Sequence, residues 1–324
     1  MSALGVVRDG QKERMVLELL TPDGILLRRD AIGAGYDDNY LGRMVRAGAI
    51  VRIRQGAYAE ASVWRDLDEP GRALLRSSAV MLQYDDHVAL SHDSAALVWG
   101  GPARGLDLDR VHLTHFHGGG RSVAGVVHHG GSCRIDDVSR RNGHWITSPG
   151  RTLLDVAARH GVETGVVLGD DLVHRKLTTP DQVAQLARPM EMWPSTLTHR
   201  LVLELIDGRA ESVGETLFRL LCRKMRLARP ELQYDVVTHD GRLIGRSDFV
   251  WHAGRLLGEF DGRVKYLRYR RPGESIDATV LREKRREDDM REVTGYRMIR
   301  ITWADLHAPE RTAARINRLL ARAA

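Results

Sequence analysis

Apolar residues at Met15, Val16, Leu19 and Leu20 fall at helical spacing within Gln11 to Leu20, and Thr21-Pro22-Asp23-Gly24 ends that run. A short second helix is expected from Leu27 to Ile32, with Gly33 to Gly35 as the turn after it. Asp37 or Asp38 then offers a cap for a third helix carrying Tyr40, Leu41, Met44 and Val45, which Gly48 stops. Ala49 to Ala59 has the pattern of two short strands around a Gln55-Gly56 turn. Three helices followed by a hairpin is the order of a winged helix-turn-helix, which we expect over residues 1–65.

Beyond that point the pattern mixes periods. Arg72 to Leu82 and Thr152 to Arg159 are helical, whereas Arg110 to Phe116 and Gly125 to His129 are strand-like, so residues 66–205 are expected to form an α/β middle domain. A new helix signal follows the turn-rich stretch Pro180 to Pro194: Ser212-Val213-Gly214-Glu215 matches a capping box that opens a helix to Met225. Strands are then expected at Leu232 to Thr238, Leu243 to Trp251 and Arg255 to Asp261, with Asp240-Gly241 as a turn. Thr279 to Val293 is helical, Gly295 breaks it, Tyr296 to Thr302 is a strand, and a closing helix starts at Pro309. The predicted fold class is α+β and multidomain, with a third domain over residues 206–324.

Composition narrows the class. The 324 residues are 43% hydrophobic and 28% charged, a balance that suits folded domains and excludes a disordered chain. No apolar stretch approaches the ~18 residues of a membrane span, and the N-terminus lacks a secretory core, so no membrane partner and a cytoplasmic location are expected. Two cysteines without a CxxC pair suggest neither a disulfide framework nor a thiolate metal site. The excess of 49 Lys+Arg over 43 Asp+Glu permits a polyanionic partner without demanding one.

Where the arginines sit says more. Arg43, Arg46, Arg52 and Arg54, with Gln55 at the hairpin tip, lie in a stretch from Tyr40 to Ala59 that holds no acidic residue. Arg43 and Arg46 are three apart on the third helix and share a face, as a helix entering the major groove requires, while the hairpin arginines would reach the backbone or the minor groove. The competing explanation is an arginine-rich surface that binds nothing.

A second constellation lies near the C-terminus. Closing GRSDFVWHAGRLLGEFDG over a loop at Ala253-Gly254, or from His252 to Arg255, pairs positions so that Asp248 faces Glu259. Two facing carboxylates repel unless a cation lies between them, and hard oxygen ligands of this kind suit Mg2+, with metal-assisted phosphodiester hydrolysis as the consequence. Alternation places Asp261, Arg263 and Lys265 on the face of Glu259, which makes Lys265 a candidate for orienting water or steadying a charged phosphorane. Glu215 either completes a metal cluster or only caps its helix. Lys284, Arg285 and Arg286 either grip phosphates or form a solvated, salt-bridged face.

Three further features receive plainer explanations. His112, His115, His117, His128 and His129 lie close in sequence, but their mixed parity and the lack of an adjacent carboxylate argue against zinc. Gly118-Gly119-Gly120 lacks the ending of a phosphate loop. Arg151 and Asp155, four apart, are expected to pair across one helical turn as a structural lock.

The phrases VRIRQGAYA (Val51 to Ala59), SHDSAALVWG (Ser91 to Gly100), RVHLTH (Arg110 to His115) and SPGRTLLDVAA (Ser148 to Ala158) make the first two-thirds resemble the AbiEi-type antitoxins of type IV toxin–antitoxin systems. Arg246 to Trp251 and Glu259 to Gly262 make the last third resemble endonucleases related to very-short-patch repair, within the PD-(D/E)XK superfamily. The first resemblance implies a transcriptional regulator that binds double-stranded DNA and is encoded beside a cognate toxin. The second implies a restriction-endonuclease-like α/β domain with Asp248 and Glu259 as metal ligands, Glu215 as the helix carboxylate, and Asp261 where the superfamily carries lysine. Two functions follow: an antitoxin-type regulator whose C-terminal domain serves binding or assembly, or a Mg2+-dependent endonuclease targeted by the winged helix. A protein-interaction role for the middle domain is a third.

Overall fold

The computed structural model describes residues 16–84, 86–116, 118, 122–262 and 275–321. The described residues are mixed α/β with three sheets, and the chain divides into two compact units. One runs to His160 and takes back Gln182–Trp193; the other joins Gly161–Asp181 to Pro194–Ala324. No described helix is long and apolar enough to cross a membrane.

The first unit begins with a strand that the pattern did not announce. Ile25–Leu27 (β1) is buried at all three positions, because Leu26 packs with Tyr40, Leu41 and Met44 while Ile25 and Leu27 pack with Leu75 and Ala79. A strand covered on both faces shows no alternation, so three apolar residues read equally well as the start of a helix. The helix Arg28–Gly33 follows directly. Helix Asp38–Ala47 is bounded as expected: the Asp37 side chain accepts the Tyr40 N–H at 2.7 Å, and Gly48 ends it in the left-handed region, φ 74°. Strands Ile50–Arg54 (β2) and Ala57–Glu60 (β3) complete a sheet of order β1-β3-β2. Helices lie on both of its faces, the second being Glu69–Met81.

Five strands follow in the same unit: Val88–Leu90 (β4), Val111–His115 (β5), Val126–His129 (β6), Val138–Arg141 (β7) and His144–Thr147 (β8). Their order is β6-β5-β4-β8-β7, with β4 parallel to β8 and β5 parallel to β6. The core joins Val88, Leu90, Val111, Leu113, Val126 and Ile146 from the strands to Val80, Met81 and Ala95 from helices. Helix His92–Val98 leaves directly from β4, and helix Pro149–His160 from β8. The proline stands in the first turn, where a missing N–H costs nothing.

The second unit carries helices Val162–His174, Thr196–Leu205 and Val213–Lys224. Its sheet comprises Glu231–Val237 (β9), Leu243–Trp251 (β10), Leu256–Asp261 (β11) and Arg297–Thr302 (β12), in the order β12-β11-β10-β9. Phe218 and Leu221 of helix Val213–Lys224 pack on Phe249, Trp251 and Phe260 of the sheet. Residues 161–181, expected with the middle domain, lie in this unit, where Asp170 reaches the same helix: its Oδ2 accepts from Arg219 Nη2 and Thr216 Oγ1, each at 2.7 Å. Helices Ile276–Thr294 and Pro309–Ala321 follow.

One glycine sets how closely helix and sheet approach. A Cβ on Gly214 would stand 2.1 Å from the Phe260 ring, which is fully buried. Gly214→Ala is therefore expected to lower stability by about 1–3 kcal/mol through overpacking. Urea denaturation monitored by circular dichroism checks this, and an unchanged midpoint would refute the close approach.

Candidate functional site

Helix Asp38–Ala47 buries Tyr40, Leu41 and Met44, which turns Arg43 and Arg46 outward to solvent. The Arg43 guanidinium lies 5.1 Å from the Tyr40 ring centroid, which steadies it without neutralising it. Arg52 on β2 is also exposed, opposite Tyr58 in the ladder. Arg54 is different: it is half-buried near Tyr84, and burial lowers its pKa below the ordinary arginine value. The backbone carbonyl of Gln55 accepts from Gln83 Nε2 at 3.2 Å. The hairpin tip is thus held by the end of helix Glu69–Met81, and three of the four arginines face outward.

On the second unit, Phe249 pairs with Gly258, Val250 with Leu257 and Trp251 with Leu256, the register that places Asp248 opposite Glu259. The turn spans His252 to Arg255, with Arg255 N–H donating to the His252 carbonyl. Both carboxylates have partners. Asp248 Oδ2 accepts the Phe260 N–H at 2.7 Å, and Glu259 Oε1 accepts from Arg286 Nη2 at 2.8 Å. Arg286 is tied further by Glu283 at 3.0 Å and by the Arg246 carbonyl at 3.2 Å. Positive charge beside the facing carboxylates is thus supplied by a side chain of helix Ile276–Thr294. Lys284 and Arg285 of that helix are exposed.

Asp261 lies 3.8 Å from Arg300. Glu215 is buried in the first turn of its helix: its N–H donates to Ser212 Oγ, its Oε1 accepts from the Ser212 hydroxyl, and its Oε2 accepts from the Glu211 N–H and from Gln233 Nε2. Lys265 lies outside the described residues with Arg263, and so do His117, Gly119 and Gly120.

The first unit also holds a constellation for which the sequence offered no adjacent carboxylate. His112 on β5 is fully buried, and its Nδ1 stands 2.9 Å from His129 Nε2 on β6. Its Nε2 lies 3.4 Å from Asp93 Oδ2 and 3.6 Å from Asp107 Oδ2. His160 Nε2 is 2.7 Å from the other oxygen of Asp93, and the His92 ring stacks on His129 at 3.6 Å. Burial, with help from nearby arginines and histidines, pushes His92, His112 and His129 down to about 3, so all three are neutral at pH 7. Asp93 comes from a helix nineteen residues before His112 and Asp107 from the loop five residues before it, both off the strand, which is why spacing along the strand did not reveal them. A signal was present nonetheless: SHDSAALVWG supplies His92 and Asp93, RVHLTH supplies His112, and SPGRTLLDVAA supplies Arg151 and Asp155. The expected Arg151–Asp155 pair is formed at 2.8 Å.

Two uncharacterized proteins, from two strains of Mycobacterium tuberculosis, are each 28% identical to this chain over 289 residues, covering 86% of it and 95% of the relative. Residues 14–61, which include helix Asp38–Ala47 and the β2–β3 hairpin, match the model of a family described as transcriptional regulator, AbiEi antitoxin.

Proposed function

We propose that the chain is a DNA-binding transcriptional regulator of the antitoxin type. It would act on double-stranded DNA and be encoded beside a cognate toxin. In this proposal residues 16–60 act as a winged helix. Helix Asp38–Ala47 enters the major groove, Arg43 and Arg46 meet bases or phosphates, and Arg52 follows the backbone. The observation that carries the proposal is the outward arginine face of that helix, within the segment matching a regulator family. The C-terminal unit, taken as a nuclease-like fold, serves binding or assembly, because Arg286 neutralises Glu259 where an active site would need a metal.

Fluorescence anisotropy on a duplex from upstream of the gene tests this. Each of Arg43→Ala and Arg46→Ala is expected to weaken binding by about 5- to 100-fold if it contacts a base, or to lower the salt slope by about 1 if it contacts phosphate. Binding of the double variant with unaltered affinity and salt slope would overturn the proposal. Metal-dependent nicking lost in Asp248→Ala and Glu259→Ala would replace it with a Mg2+-dependent endonuclease.

A further inference from the structure

We infer that Asp93, Asp107 and His112 form a site for a first-row divalent metal ion, of which zinc is the best match. The donor atoms are Asp93 Oδ2, Asp107 Oδ2 and His112 Nε2, and all lie within 4.8 Å of one another. Zinc bonds to nitrogen and carboxylate oxygen are ~2.1 Å long, and a tetrahedral ion therefore separates its ligand atoms by roughly 3.4 Å. The 3.4 Å and 3.6 Å from His112 Nε2 to the two oxygens match that edge.

A second observation is independent of this spacing. Asp93 and His112 are completely buried, yet His112 Nε2 has no hydrogen-bond partner among the described residues, and Asp93 Oδ2 meets the Arg159 guanidinium at 3.2 Å without forming a hydrogen bond. An orphaned ring nitrogen in full burial costs free energy unless something bridges it. Were His112 Nε2 protonated, it would find two acceptors nearby, but it bonds to neither. If instead its proton sits on Nδ1 and is donated to His129 Nε2, the Nε2 lone pair points at two carboxylates, which a cation alone makes favourable.

The surroundings suit a ligand set. His160 binds the Asp93 oxygen that is not in the cage, at 2.7 Å, and Ser94 Oγ accepts the His112 backbone N–H at 3.0 Å. Such outer contacts fix the orientation of the ligands. Two arginines share the carboxylates: Arg159 lies 3.2 Å from each, and Arg110 holds Asp107 at 2.6 Å. Both have exposure to solvent, 27% and 52% of the side chain. Arg159 is thus the displaceable cation of the site. It balances the carboxylates but leaves the imidazole lone pair unanswered, which a metal answers as well. Arg286 differs, since no orphaned imidazole nitrogen stands beside it among the described residues. Three protein ligands leave one coordination position for water or a ligand oxygen.

The test uses the full chain, stripped with a chelator and titrated with Zn2+ by calorimetry, and with Co2+ to record d–d absorption. We expect about one ion per chain, binding tightened about tenfold or more in Arg159→Gln, and weakened more than about 100-fold in Asp93→Asn and His112→Gln. Circular dichroism confirms folding; should either variant misfold, Asp107→Asn, on a loop, takes its place. Substoichiometric binding in both the natural protein and Arg159→Gln would overturn the site. Stoichiometric binding unchanged in the folded ligand variants would do so equally.

Discussion

Replacing Arg151 with methionine is expected to destabilise the first unit by about 3–5 kcal/mol, the cost of leaving buried charges without a partner. Its guanidinium spans two carboxylates, Asp137 at 2.9 Å and Asp155 at 2.8 Å, and all three side chains are at least nine-tenths buried. It also donates to the Ser132 carbonyl at 3.2 Å and lies 5.3 Å from the Trp193 ring. One planar cation thereby joins helix Pro149–His160, the segment before β7 and Gln182–Trp193. Lysine cannot span both acceptors with a fixed fork, so Arg151→Lys should recover only part of the loss. Hydrogen exchange of helix Pro149–His160 reads the effect locally. Protection within about 1 kcal/mol of the parent would show that water or relaxation satisfies the two acids.

The second large effect is expected in the other unit. Asp170 is fully buried and accepts from Arg219, Thr216 and the Asp207 N–H, each at 2.7 Å. Burial pushes its pKa up while Arg219 and these donors pull the other way. Asp170→Ala strands the Arg219 guanidinium, 6% exposed, and about 3–5 kcal/mol of stability should be lost. Replacing both members with apolar side chains, Asp170→Leu with Arg219→Met, should restore most of it, since a buried pair exchanged for packing is close to neutral. Urea denaturation of the three proteins decides the matter. A double variant no better than Asp170→Ala would mean that the Asp207 and Thr216 bonds, not the charge, carry the effect.

Features set by short-range chemistry were legible in the sequence. Asp37 and Gly48 mark the ends of one helix, Ser212 opens another, and the turn after Trp251 sets the β10–β11 register. Strand β1 was hidden because three buried apolar residues have no period. Strand β4 was hidden because it is three residues long and its partners are remote, whereas β7 and β8, four residues each, pair with each other across Asn142-Gly143, a turn signal that the pattern reading passed over. The same distance in sequence concealed Arg286 as the counter-ion of Glu259, 27 residues away. It also concealed Asp93 as a neighbour of His112, while Asp107, five residues before His112, was hidden because it lies on a loop and not in the strand's period. What a side chain repels can be inferred from its strand partner, whereas what neutralises it depends on which helix crosses above.

The far face of the β1-β3-β2 sheet has a practical meaning. Ile25, Leu27, Ala57 and Ala59 share one core with Leu75 and Ala79, and Gln83 clasps the hairpin tip. A fragment ending at residue 65 would carry the arginine helix intact but lay bare a greasy sheet face, inviting self-association. Helix Glu69–Met81 is the backplate on which the sheet behind the arginine face is mounted.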